Sequence, residues 1–270
     1  MMAYRAPFRD KLLQRYKKTA LQPEKVEKHY KIYEKLGEGG AGTVHEVKHR
    51  SSGIRRAMKC LPFEFGEKDT RKANQELFNI LETKPHIHIM KWFDIFVTPG
   101  EKPKLCIIME LCTMDLAMYC KQFFERPENS TKSLGMDLPL QITKAVAFLH
   151  QQDPDIIHRD IKPQNILVII CPKTNKVTVK IADFGMCTIT DSDSSTSEEH
   201  ISGATSRKWI TTSQKRGTWS YMAPEFFEAM DHGSAWKFRP QPAVDIFALG
   251  LVFAYMFCFD SEEYGTYKAN

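Results

Sequence analysis

The order in which the hydrophobic periods appear along the chain constrains its fold more than any other feature. From Tyr33 to Leu61 the sequence alternates like two or three short strands joined by Gly-rich turns. Residues 68–83 (KDTRKANQELFNILET) read as a helix, with Leu77, Ile80 and Leu81 on one face. MKWFDIFV and KLCIIMEL then return to a strand pattern. After about residue 115 the pattern turns helical, with LPLQITKAVAFLHQQ as an amphipathic helix following the breaker at Gly135. Strands first and helices later predict an α+β chain of two lobes, with the change near residues 110–115.

Composition narrows the classes. With 42% hydrophobic and 26% charged residues the chain can bury a core, which excludes collagen-like, coiled-coil and wholly disordered architectures. The net charge of +5 suits an anionic ligand without demanding nucleic acid, and no nucleic-acid partner is expected. Seven cysteines with no C-x-x-C pair suggest neither a disulfide framework nor a zinc cluster. The N-terminus lacks the apolar core of a signal peptide. The longest apolar run, Ile246 to Phe259, is 14 residues, which is too short to span a bilayer and reads as a buried helix. A cytoplasmic location is expected, with the nucleus as the alternative. Residues 1–32 form a basic leader, read as solvated, with a membrane-surface or partner helix as the minority reading. Residues 190–213 are rich in Ser and Thr and read as a mobile segment.

The chemistry-bearing residues begin with Gly37-Glu38-Gly39-Gly40-Ala41-Gly42, which fits G-x-G-x-x-G between Leu36 and Val44. Without Cβ atoms the backbone N–H groups can approach phosphate oxygens closely. A dinucleotide-binding loop carries the same string but opens a helix. Here Thr43-Val44-His45-Glu46-Val47 follows and alternates like a strand, so a phosphate-covering hairpin is predicted. Lys59 lies downstream in the strand-like Ala57-Met58-Lys59, and Glu76 on the next predicted helix is the carboxylate that could fix it. His158-Arg159-Asp160-Ile161-Lys162-Pro163-Gln164-Asn165 follows, then Asp183-Phe184-Gly185, then Gly217-Thr218-Trp219-Ser220-Tyr221-Met222-Ala223-Pro224-Glu225.

In this order and near this spacing, the elements resemble a eukaryotic protein kinase catalytic domain from about Tyr33 to Phe259. The resemblance implies a bilobal fold over residues 33–270, with an N-lobe at 33–111 and a C-lobe at 112–270. It implies ATP and Mg²⁺, and a protein substrate bearing Ser or Thr. Asp160 is then the catalytic base and Lys162 the stabiliser of the transferring group. Asn165 and Asp183 would hold the metal. Leu36, Gly37, Glu38, Gly39, Gly40, Ala41, Gly42, Thr43 and Val44 would cover the nucleotide. Ala57 would wall the base, and Lys59 paired to Glu76 would grip the phosphates. Met109 would be the gatekeeper, with backbone groups of Glu110 and Cys112 meeting the adenine edge. Lys162 and Thr218 are similar to the serine/threonine rather than the tyrosine class. Asp245 would brace the His158-Arg159 backbone, and His158, Phe184 and Ile80 would stack in a column. In resembling kinases Arg159 answers a phosphate on the activation segment, and Thr205, Ser206, Thr211, Thr212 and Ser213 form the favoured acceptor cluster.

Three phrases, MELCTMDLAMY, DFGMC and VDIFALGLVFAYMF, are similar to the kinase domain of inositol-requiring endoplasmic-reticulum stress sensors, whose membrane span and ribonuclease domain are not expected here. In resembling kinases the glutamate at Glu225 pairs with an arginine of later helices. A truncated C-lobe is therefore expected, covered by a partner or further chain. The alternatives to an active enzyme are a pseudokinase scaffold and an inactive fragment.

Overall fold

A computed structural model of the 270-residue chain describes residues 6–39, 42–63, 76–77, 79–125, 136–190, 219–226 and 241–257. The chain divides into two units, residues 1–113 and 114–270.

The first unit is built on a five-stranded antiparallel sheet. Its strands are β1 (Tyr30–Gly39), β2 (Gly42–His49), β3 (Arg55–Pro62), β4 (Trp92–Val97) and β5 (Lys104–Met109), in the order β1-β2-β3-β5-β4. Three strands form where two or three were expected between residues 33 and 61. β3 is central and covered on both faces, so Ala57, Met58, Lys59, Cys60 and Leu61 are all buried. Val26, Tyr30, Val47, Met58, Phe96, Cys106 and Ile108 make one core cluster with Cys60. Residues 76–77 and 79–82 are helical. Leu77 and Ile80 are buried as expected, but Asn79 is fully buried where Leu81 is only half-buried.

The basic leader is not a solvated segment. Ala6–Leu21 forms a helix, α1, that packs on β4. Leu12 and Thr19 are buried. The Thr19 hydroxyl accepts the Val97 N–H at 3.1 Å and donates to the Arg15 carbonyl at 3.0 Å. Arg15 donates to both Glu24 oxygens at 3.0 Å and to Asp94 at 3.2 Å. The count of Lys and Arg hid this, because one arginine and one hydroxyl anchor a helix whose Lys11, Lys17 and Lys18 face water.

The second unit is mainly helical. It holds a three-stranded sheet of β6 (Met114–Asp115), β8 (Ile166–Ile170) and β9 (Val177–Ile181), and a two-stranded pair of β7 (Asp155–Ile157) and β10 (Thr188–Thr190). Its helices are α2 (Leu116–Phe124), α3 (Asp137–His150) and α4 (Ala243–Phe257). Asp115 caps α2 by accepting the Met118 N–H at 2.7 Å. α3 buries Ile142, Ala145, Val146 and Leu149. Its Gln141 amide pairs with β9 as a strand would, donating to the Val177 carbonyl at 3.1 Å and accepting the Val179 N–H at 3.0 Å. α4, expected to be buried, is buried along one side at Val244, Asp245, Ala248, Leu249, Val252 and Met256, while Ile246, Phe247 and Phe257 stay exposed.

Gly40, Ala41, Gly217, Thr218, the 190–213 Ser/Thr segment beyond Thr190 and the residues after Phe257 lie outside the described residues. Among the described residues, no helix is long and apolar enough to cross a membrane.

Candidate active site

The glycine string sits where two strands reverse. β1 ends at Gly39 and β2 begins at Gly42, opposite each other in register. No helix opens after the loop, so the hairpin reading holds and the dinucleotide-loop reading fails. Leu36, Gly37, Glu38 and Gly39 close β1; Gly42, Thr43 and Val44 open β2. Gly42 has φ +144, and a Cβ there would lie 2.1 Å from the Cys60 carbonyl oxygen, so only glycine fits. Glu38 accepts from Lys35, which holds its carboxyl below the usual range.

Register then carries the loop to the lysine. Val44 faces Lys59 across β2–β3, and Ala57 faces Met109 across β3–β5. The Lys59 ammonium donates to Glu76 Oε1 at 2.7 Å, with side chains only 11% and 6% exposed. A buried pair of this kind fixes the lysine head in one place, where a surface lysine would sample many rotamers. Met109 ends β5, and Glu110 and Cys112 follow it. The Glu110 N–H is committed to the Lys91 carbonyl at 3.0 Å.

In the second unit one carboxylate organises the loop after β7. Asp245, in the first turn of α4 and fully buried, accepts the His158 N–H and the Arg159 N–H at 2.7 Å each. It also accepts from His150 Nε2 at 2.8 Å, a partner that sequence reading missed. The two clamped N–H groups belong to consecutive residues, and Arg159 is held in the left-handed region at φ 66. The clamp stabilises a backbone conformation that an arginine seldom adopts.

His158 is fully buried and packs edge-on against Phe184, with ring centroids 5.3 Å apart. Its Nε2 lies 3.0 Å from the Ala182 carbonyl, which can only accept. Nε2 therefore carries the proton, and Nδ1 accepts the Asp160 N–H at 3.3 Å. Both ring nitrogens are used structurally, as the packing reading of His158 requires. Ile80 is buried in the first unit.

The Asp160 carboxylate is gripped from two sides. Lys162 Nζ donates to both oxygens at 3.0 and 2.8 Å, and Asn165 Nδ2 donates to Oδ2 at 2.8 Å. Asn165 Nδ2 also donates to the Asp160 carbonyl at 2.8 Å, so its amide orientation is set and its Oδ1 is turned away from Asp160. The Ala182 N–H donates to the Asn165 carbonyl at 2.9 Å. That bond ties the backbone before Asp183 to Asn165. Asp183 itself has φ 64, a second left-handed residue beside the same loop. Asn165 and Asp183 supply hard oxygen atoms of the kind Mg²⁺ takes. Among the described residues no cluster of three His, Cys, Asp or Glu could hold a metal alone. A magnesium ion that keeps its waters and shares substrate phosphates fits such a sparse donor set.

Arg159 is the remaining charge at the site. Its guanidinium donates to the Met186 carbonyl at 3.2 Å and to the Thr188 hydroxyl at 3.0 Å, and stacks over Phe226. Burial pulls it down to about 10. Thr188 is a contact that sequence reading missed, because nothing local marks the third residue after Gly185.

The first unit thus carries a glycine hairpin whose second strand pairs with the strand of a buried lysine, and the second unit carries a carboxylate held by lysine and asparagine. The protein kinase domain family model matches residues 30–265, and the chain belongs to that family. It is 28% identical over 247 residues to the interferon-induced, double-stranded RNA-activated protein kinase of Mus musculus, covering 85% of this chain and 40% of that protein. It is 28% identical to serine/threonine-protein kinase 33 of Mus musculus, covering 86% of this chain and 42% of that protein. It is 32% identical to developmentally-regulated protein kinase 1 of Dictyostelium discoideum, covering 83% of this chain and 26% of that protein. The chain thus spans less than half the length of these relatives.

Proposed function

We propose that the chain is an ATP-dependent serine/threonine protein kinase using Mg²⁺. The observation that carries this reading is the Asp160 carboxylate held jointly by Lys162 and Asn165. Phosphoryl transfer asks a protein for position and charge more than for covalent chemistry. Asp160 orients the acceptor hydroxyl and takes its proton as the hydroxyl oxygen bonds to the γ-phosphorus and the bond to the β-phosphate oxygen breaks. Lys162 stabilises the negative charge of the transferring phosphoryl group. Lys59, positioned by Glu76, holds the α- and β-phosphates. Asn165 and Asp183 would hold Mg²⁺, which would supply charge neutralisation at the phosphates. The Glu110 carbonyl, rather than its committed N–H, meets the adenine edge together with the backbone of Cys112. Leu36, Val44 and Ala57 wall the base, with Met109 behind it. A protein bearing Ser or Thr is the acceptor. Similarity to serine/threonine-protein kinase 33 supports the same acceptor class.

The test is transfer of labelled γ-phosphate from ATP to mixed Ser/Thr and Tyr peptides, with and without Mg²⁺. Metal-dependent label on Ser or Thr, lost in Asp160→Asn, is expected. Saturable nucleotide binding with no transfer under any condition would favour the pseudokinase reading instead.

A further inference from the structure

A cavity of about 610 Å³ opens between α1 and the sheet of the first unit. It shares no lining residue with the candidate active site. Its size is that of a small-ligand pocket. Lys11, Arg15 and Lys18 of α1 line it, with Arg56 of β3 and Phe93 and Asp94 of β4.

The charges at this cavity do not cancel. Asp94 accepts from Arg15, and Glu24 beside it accepts from Arg15 and from His29 at 2.9 Å. Arg15 is thus one positive charge shared by two carboxylates, and the cations Lys11, Arg15, Lys18 and Arg56 outnumber Asp94 and Glu24 by two. Lys11, Lys18 and Arg56 meet no carboxylate among the described residues. The net positive charge left around one concavity concentrates anions there. Lys11, Lys18 and Arg56 form no part of the contacts that dock α1, which are made by Leu12, Arg15 and Thr19.

Leu12, Tyr30, Ile54 and Phe93 make the apolar part of the lining, beside the polar Gln14, His29, His49 and Ser52. The Arg56 guanidinium lies 3.7 Å above the Phe93 ring, which fixes its plane; its Nη1 donates to the Arg55 carbonyl at 3.5 Å, and its other N–H groups can meet an acceptor. Tyr30 and Leu12 are buried, and Ile54 is exposed at the edge. A dianion alone would use the cations and leave this surface wet, whereas a bare hydrophobe would leave the cations unused.

We propose that the cavity binds a phosphomonoester dianion carried on a compact apolar or aromatic body, supplied either by a phosphorylated peptide side chain or by a small metabolite. The inference rests on the first unit alone and stands whether or not the chain transfers phosphate.

Titration calorimetry on the whole chain tests it, with phenyl phosphate, phenol and inorganic phosphate as probes, each with and without ADP and Mg²⁺. Phenyl phosphate should bind saturably and more tightly than either part, should weaken with added salt, and should not be displaced by the nucleotide. The variant Lys11→Gln/Lys18→Gln/Arg56→Gln should weaken it by about ten-fold or more, since a single charge-assisted hydrogen bond is worth about that factor. Lys11→Gln/Lys18→Gln, which leaves the Arg56 stack intact, should weaken it in the same direction if the triple variant fails to fold. Lys144→Gln/Lys173→Gln/Lys176→Gln removes equal charge elsewhere and should change nothing. A phosphotyrosine peptide that binds more tightly than phenyl phosphate identifies a peptide source, and the reverse order a metabolite. No saturation up to ~10 mM phenyl phosphate, weaker than any useful affinity, overturns the proposal. So does equal weakening by both triple variants, or displacement by ADP.

Discussion

Lys59 and Glu76 are oppositely charged, buried and 2.7 Å apart. Removing one partner of such a pair costs on the order of 3–5 kcal/mol, whereas replacing both with apolar groups is often near neutral. Lys59→Met should therefore lower the melting temperature as well as abolish transfer. Lys59→Met/Glu76→Leu should recover most of the melting temperature and none of the activity. If the single variant melts like wild type, the pair contributes little to the fold. Asp245 works on the same scale through two buried N–H donors. Each donor left unsatisfied costs about 1–3 kcal/mol, so Asp245→Ala should lose about 2–6 kcal/mol in urea unfolding and nearly all transfer. His150→Gln, which removes only the ring contact, should lose far less of both. Gly42 and Gly39 offer a contrast within one hairpin. A Cβ on Gly42 would strike the Cys60 carbonyl, while one on Gly39 meets nothing within 4 Å. Because β3 is paired on both sides, that carbonyl has no room to retreat. Gly42→Ala should lower stability measurably by thermal melting, and Gly39→Ala should leave it nearly unchanged.

Among elements, α1 shows how a basic segment becomes part of a fold. Arg15 holds Glu24 far down, to about 2, with His29 adding to the effect and burial opposing it. A carboxyl lowered from 4.5 on folding contributes stability above 4.5 that disappears as pH falls to about 2. Glu24→Gln should therefore unfold more easily than wild type near neutral pH, and the difference should shrink through this window and vanish below it. Urea titrations across that range measure it, and a pH-independent difference would place the effect in packing rather than charge. Thr19 is the complementary anchor. Thr19→Val leaves the Val97 N–H without its acceptor, a loss of about 1–3 kcal/mol. α3 and α4 were legible as helices because their apolar positions repeat locally. The partial exposure of α4 was not, since an apolar run does not record which of its sides finds a neighbour.

At the scale of the molecule, nucleotide binding should stabilise the folded chain by mass action. ADP with Mg²⁺ at about a hundred times its dissociation constant should add about 2.7 kcal/mol. Asp183→Asn should remove the magnesium-dependent part of that gain and leave a metal-free part. A gain indifferent to magnesium would remove Asp183 from the metal role. The amino-acid sequence alone determined the strand-then-helix order, the hairpin at the glycine string, and the residue types that phosphate chemistry needs. These are properties of short spans: a period of two or 3.6, a missing Cβ, a run of motifs in fixed order. Tertiary structure decided which distant groups meet. It added His150 to the expected Asp245 brace on His158 and Arg159, joined Arg15 to Asp94, and gathered Lys11, Lys18 and Arg56 around one cavity. The reason is physical: whether a charge is buried, paired or exposed depends on what packs around it, and those neighbours are far away in the chain.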